Sequence, residues 1–178
     1  MSQMTQSVFR IEPAGEDDWP WIVQGQVEIA WVRLDPQRQR DLGRQAVEAS
    51  VARQVERLRH DTNFFNQAFV ARAGDGSLAG FVWVAKDEND STGQMEASLL
   101  NQYVAKAYRG RGLGHRLMEM AEEWARQQGL PCISLSVGAG NRIGQKLYQS
   151  LGYAVETLRM TKELGPPRTD EGIRLTNA

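Results

Sequence analysis

The stretch that decides the reading is Tyr108–Gly129, YRGRGLGHRLMEMAEEWARQQG. Its glycines and arginines alternate and then run into a helical pattern. Leu113, Leu117, Ala121 and Trp124 recur at spacings of four, four and three, with Met118 and Ala125 beside them. Gly129 and Pro131 stop the helix, and its start falls within Gly110–Gly114. A helix start leaves about four N–H groups unpaired and carries about half a positive charge. Glycines there remove the side chains that would keep an anion at a distance. Taken alone, these glycines read equally as a phosphate-binding turn or as a plain tight turn with solvated arginines.

Charge distribution favours the anion site. Between Glu96 and Glu119 there is no acidic residue, while Lys106, Arg109, Arg111 and Arg116 are all present. Up to Val155 the acidic residues are Glu119, Glu122 and Glu123, against seven Lys or Arg. A chain with a net charge of only −1 thus gathers positive charge at one helix start, as capture of a multiply phosphorylated ligand requires. That same low net charge argues against a nucleic-acid binder. Neither mononucleotide pattern fits. The P-loop needs Lys-Ser/Thr after the last glycine, where His115-Arg116 stand, and the dinucleotide fingerprint needs glycine at position 115.

At 178 residues, with 41% hydrophobic and 24% charged, the chain reads as one ordinary globular domain. The single cysteine, Cys132, excludes an internal disulfide framework and reads as a small buried hydrophobe at the start of a core strand. His60 and His115 are too few and too separated for a metal site, so no metal is expected. No apolar run suits a membrane span and no signal-peptide segment opens the chain, so the expectation is a soluble cytoplasmic protein without membrane or nucleic-acid partners. Residues 1–7 are expected to be a disordered N-terminus, 8–164 one domain, and 165–178 a loose tail.

Within that domain the pattern is mixed. Strands are expected at Val8–Pro13, Gln67–Ala73, Leu78–Lys86, Met95–Ala105, Ile133–Val137 and Tyr153–Glu163. Glu16–Leu34 is helical but irregular. Asp35-Pro36 opens a helix whose Val47, Val51, Val55 and Leu58 share one face. A short helix runs from Asn141 to Leu151, ended by Gly152. At about 100° per residue, Asn141, Gly144 and Tyr148 fall within about 60° on one stripe, beside a core stripe of Ile143, Leu147 and Leu151. Gly144 costs a helix roughly 1 kcal/mol against alanine. It reads either as room for a close approach or as an accident beside an Asn141 N-cap and a packed Tyr148.

Arg109-Gly110-Arg111-Gly112-Leu113-Gly114 resembles the Arg/Gln-x-x-Gly-x-Gly/Ala motif of the GNAT superfamily of N-acetyltransferases, which binds the acetyl-CoA pyrophosphate. Asn141-Arg142-Ile143-Gly144-Gln145-Lys146-Leu147-Tyr148, followed by Leu151-Gly152-Tyr153, is similar to the family's Asn-x-x-Ala-x-x-Leu-Tyr…Gly-Phe segment. The likeness runs from about Leu78 to Glu163. It implies an α+β fold with a mixed, mostly antiparallel twisted sheet of six to seven strands flanked by helices and split at the cofactor. It also implies acetyl-CoA as co-substrate, held by Gln102, Tyr103, Val104, Arg109, Gly110, Arg111, Gly112, Leu113, Gly114, the His115 backbone, Asn141 and Tyr148. A backbone N–H near Tyr103 or Val104 would meet the acetyl oxygen. Many relatives have proline where this chain has Lys106.

The implied reaction is direct attack of a primary amine on the thioester, with Tyr148 as the catalytic acid that protonates the CoA thiolate. The general base stays open. Relatives that acetylate protein N-termini use a glutamate where this chain has Ser136, leaving Glu96 and Glu28 as substitutes. The acceptor, a small molecule or a peptide amine, is expected against Trp19–Asn66 and the acidic loop Lys86–Gly93. Members often pair as dimers, so a homodimer stands among the expectations. The rival reading is a non-catalytic acyl-CoA-binding regulatory module of the same fold. A nucleotide-dependent oxidoreductase is the weakest alternative.

Overall fold

The computed structural model describes residues 9–162 of the 178. The expectations for residues 1–8 and 163–178, including the disordered N-terminus and the loose tail, lie outside the described residues. Five strands form one sheet in the order β1 (Arg10–Pro13), β2 (Asn66–Arg72), β3 (Leu78–Glu88), β4 (Met95–Val104), β5 (Ile133–Leu135). Every neighbour is antiparallel except β4 and β5, which run parallel. The helices are α1 (Trp19–Arg33), α2 (Pro36–Leu42), α3 (Arg44–His60), α4 (Leu113–Gln127) and α5 (Arg142–Ser150).

Two apolar layers hold the sheet. On one face Leu113, Leu117, Met118, Ala121 and Trp124 of α4 pack with Phe69, Val82, Val84 and Leu99. On the other, Ile22 of α1 and Val47, Val51 and Val55 of α3 pack with Val70, Phe81 and Trp83. Strand β3 lies between both layers, so Ala79 to Ala85 are all buried and their sequence shows no polar alternation. Each fully buried Leu or Met contributes about 1.5–3 kcal/mol of transfer free energy. Close approach is built in at two glycines. A Cβ on Gly80 would lie 2.8 Å from the Tyr103 carbonyl oxygen and 3.0 Å from Leu117 Cδ1; one on Gly25 would lie 2.6 Å from Phe81 Cε1 and 3.0 Å from Tyr103 Cδ1.

Three expectations are corrected. The helix opening at Asp35-Pro36 does form, with the Asp35 carboxylate accepting from the Gln37 and Arg38 amides at 2.9 and 3.0 Å. It ends at Gly43, whose φ of +70° breaks the helix, and α3 begins afresh. The fifth strand is three residues rather than five. The sixth, expected at Tyr153–Glu163, pairs with nothing as far as Lys162, so the described sheet has five strands and not six to seven. Its apolar residues explain why the sequence suggests a strand there. Val155, Leu158 and Met160 are exposed and spaced by three and then two, so no single strand face collects them.

Candidate active site

The strand β4 gives the site its opening. Its ladder with β5 covers only Ala97, Ser98 and Leu99. At that point β4 carries one extra residue, because Val84 pairs with Leu99 while Trp83 pairs with Asn101, leaving Leu100 unmatched. Beyond the bulge β4 stays on β3 as far as Val104 but, among the described residues, has no strand partner on its other edge. Ala105 N–H donates to Ala79 O at 2.9 Å. Backbone groups alternate between a strand's two edges, so the Val104 N–H faces the gap and the Tyr103 N–H faces β3.

The glycine turn borders this gap. Gly110 and Gly112 have φ of +73° and +75°, and a Cβ at either would find nothing within 4 Å. Gly112 is the N-cap of α4 and supplies no side-chain cap. The first intrahelical bond runs from Arg116 N to Gly112 O at 3.3 Å, so the amides of Leu113, Gly114 and His115 precede it. Arg109 and Arg111 are exposed. Arg109 Nε donates to Val104 O at 2.9 Å, and its guanidinium lies 6.0 Å from the Tyr103 ring centre; Arg111 lies 5.7 Å from that of Tyr108. Arg116 belongs elsewhere: its Nη2 donates to Phe9 O at 2.8 Å.

A chain of hydrogen bonds crosses the gap. The Tyr148 hydroxyl of α5 donates to Gln102 Oε1 at 3.2 Å, and Gln102 Nε2 donates to Gly114 O at 2.6 Å. Tyr148, β4 and the start of α4 are thereby joined. Burial pushes the Tyr148 phenol above its ordinary pKa, and the Arg33 charge opposes that shift, so the hydroxyl keeps its proton at neutral pH. His115 Nε2 lies 3.0 Å from Ser150 Oγ, whose own proton goes to Leu147 O at 2.7 Å, so the imidazole is the donor and ties α4 to α5. Asn141 Oδ1 accepts from Gly144 N at 2.9 Å. A Cβ on Gly144 would lie 2.7 Å from Asn141 Nδ2. The close approach at Gly144 is therefore made by the capping asparagine of its own helix.

The model of the Acetyltransferase (GNAT) family matches residues 33–153. The chain belongs to the GNAT family. It is 34% identical over 89 residues to "Uncharacterized N-acetyltransferase YdgE" of Bacillus subtilis, covering 50% of this chain and 55% of that protein. It is 30% identical over 158 residues to a mycothiol acetyltransferase of Nocardiopsis dassonvillei, covering 85% and 46%. The chain thus spans about half the length of these curated relatives. Among solved structures, a putative acetyl transferase from Pyrococcus furiosus superposes with a TM-score of 0.76 at 26% identity, over 88% of this chain and 100% of that one.

Within this GNAT fold the two carboxylates considered as bases part company. Glu96 accepts from Ser134 Oγ at 2.7 Å and from Asn89 Nδ2 at 3.0 Å. The Ser134 bond foremost holds its carboxyl below the ordinary range, which makes it a poor base. It also lies six residues along β4 from Gln102, about 20 Å at strand rise. Glu28 on α1 pairs with Arg44 and lines a cavity together with Tyr103. Cys132 is exposed rather than buried, because it precedes the outermost described strand. Partial desolvation of the sulfur by its neighbours and then the Glu96 carboxylate raise its thiol pKa. Among the described residues no group of three or more His, Cys, Asp or Glu could hold a metal ion, and no helix is long and apolar enough to cross a membrane.

Sequence reading missed three features. Gln102 acts through its side chain, Arg33 of α1 reaches the Tyr148 phenol electrostatically, and Gly25 seats α1 on Phe81 and Tyr103. Only the last left a signal, a lone glycine amid the apolar residues of a helix.

Proposed function

We propose that this protein transfers the acetyl group of acetyl-CoA to a primary amine. The observation that carries the reading is the hydrogen-bonded run from Tyr148 through Gln102 to Gly114. It sits where β4 loses its neighbour, beside an α4 N-terminus without a side-chain cap.

The residues present fit coenzyme A. Open backbone at Gly110 and Gly112, the amides of Leu113, Gly114 and His115, and the Arg109 and Arg111 charges suit a pyrophosphate. The free edge of β4 around Gln102, Tyr103 and Val104 suits the pantetheine amides, which would pair as an added strand. Asn141 stands at the start of α5, which it caps through the Gly144 amide. When bound, acetyl-CoA supplies an activated acyl group on a thiol leaving group of pKa near ~8.5.

The Val104 N–H, turned to the gap, is placed to stabilise charge on the acyl oxygen. The Tyr148 oxygen holds its proton until sulfur leaves and then donates it. Gln102 orients that hydroxyl. Thiol release from acetyl-CoA across an amine panel tests the reading: turnover supports it, and CoA binding without turnover on any amine favours the regulatory module. Activity unchanged in Tyr148→Phe would remove the role given to Tyr148.

A further inference from the structure

A cavity of about 940 Å³ opens between α1 and α3, on the sheet face opposite α4. Its wall includes Trp21, Gly25 and Glu28 of α1, Arg44 and Glu48 of α3, and Tyr103 of β4. Tyr103 joins it to the site just described, since the neighbouring residues Gln102 and Val104 border the gap. Gln102 points to the α4 face and Tyr103 to the α1 face. A cofactor at α4 and a second molecule in this cavity would therefore meet at one strand edge from opposite sides.

The lining has a definite chemistry. Trp21 and Tyr103 stand edge to face with ring centres 5.8 Å apart, offering an aromatic floor. The charged lining residues are Glu28, Glu48 and Arg44, two carboxylates and one guanidinium, for a net charge of −1. Arg44 is already matched: Nη2 pairs with Glu28, Nε lies 3.3 Å from Glu48, and Glu28 foremost raises its pKa. These side chains are 44%, 46% and 52% exposed, so the pairs are weakly held and exchangeable. An incoming anion would meet two carboxylates and no spare cation; an incoming cation would replace Arg44. Glu28 lies about one helical turn beyond Gly25, the residue seated on Tyr103, so a ligand reaching from the strand edge to this carboxylate is compact.

We propose that this cavity is the acceptor site and takes a small organic diamine. One primary amine is presented at the β4 edge beside Tyr103. The second cationic group is held by Glu28 and Glu48 in place of Arg44, and the apolar body lies on the Trp21 and Tyr103 rings. This rests on the acetyl-transfer reading. In the reaction the amide nitrogen–carbon bond forms as the thioester carbon–sulfur bond breaks; the neutral amine gives up one proton to solvent water, and Tyr148 gives one to sulfur and regains it from solvent, so atoms and charge balance.

The test is calorimetry on the full chain, first with CoA and then with three probes of one shape: p-xylylenediamine, benzylamine and 4-(aminomethyl)benzoate. The diamine is expected to bind about fivefold more tightly than benzylamine, with the benzoate weakest, a difference of the size half-exposed charge pairs supply. Glu28→Gln and Glu48→Gln, each checked for folding by circular dichroism, should bring the diamine to within about twofold of benzylamine. Equal affinities, tightest binding of the benzoate, or CoA binding with no probe bound overturns the proposal. An undiminished diamine preference in both variants overturns the assigned carboxylates. Loss of CoA binding with the preference intact overturns acetyl transfer and with it the acceptor role, so the two failures are distinguishable. The probe series on the unmodified chain decides between these outcomes even if a variant does not fold.

Discussion

Replacing Gly112 by alanine separates a turn from an anion site. Gly112 has φ of +75° and ψ of 0°, and its Cβ would meet no atom within 4 Å. The new methyl therefore clashes with nothing in the protein, and the cost of folding is conformational alone, about 1–2 kcal/mol for a left-handed non-glycine residue. Gly129, just past the other end of α4, has φ of +68° and equally open surroundings, so Gly129→Ala carries the same cost and serves as the control. Urea unfolding should show both variants destabilised by about 1–2 kcal/mol, with melting lowered by roughly 2–4 °C per kcal/mol. CoA calorimetry should then split them. At Gly112 the methyl projects where a pyrophosphate would approach the Leu113 and Gly114 amides, and loss of one charge-assisted bond is worth about 1.5–3 kcal/mol, or about 10–100-fold in Kd. At Gly129 the affinity should not change. Equal CoA affinity in both variants and the parent would refute the reasoning, leaving the glycines as turn formers only.

Tyr148→Phe is expected to lower kcat about 100-fold with little change in KM, read by steady-state thiol release, because it removes the proposed proton donor and leaves the ring in place. Leu117→Ala, at a fully buried α4 position, should cost about 2–5 kcal/mol in urea unfolding; a cost below about 1 kcal/mol would show that the site collapses around the gap. The Glu96 carboxyl is held below its ordinary pKa chiefly by Ser134. A depressed folded pKa adds stability above the unfolded value, about 4.3, which is lost as pH falls through the folded one. The stability gap between parent and Ser134→Ala should thus be constant near neutrality and shrink below about pH 4; a gap that widens on acidification contradicts the assignment.

Local chemistry was legible wherever it is written in short range. The start of α4 at Leu113, its end by Gln127, the Asp35 cap and the α3 stripe of Val47, Val51 and Val55 follow from propensity, capping and period. The strands of the sheet's centre were legible too, since β-branched and aromatic runs bounded by turn residues need little context. The outer margin was not. Apolar runs at Ile133–Val137 and Tyr153–Glu163 look like strands by composition, but a strand exists only through a partner, and β5 finds one for three residues while the later run, as far as Lys162, finds none among the described residues.

Residue roles divide in the same way. The sequence by itself determined the glycine turn, the basic surroundings and the placing of Asn141 and Tyr148 on one stripe, because backbone freedom, charge and helical period belong to neighbours along the chain. Only the tertiary structure decided that Gln102 links Tyr148 to Gly114, that Val104 rather than Tyr103 turns its N–H to the gap, and that Tyr103 opens onto a cavity between α1 and α3. Each of these depends on which edge or face meets an element dozens of residues away, and such pairings are set by the packing of whole layers and leave no local mark in the chain.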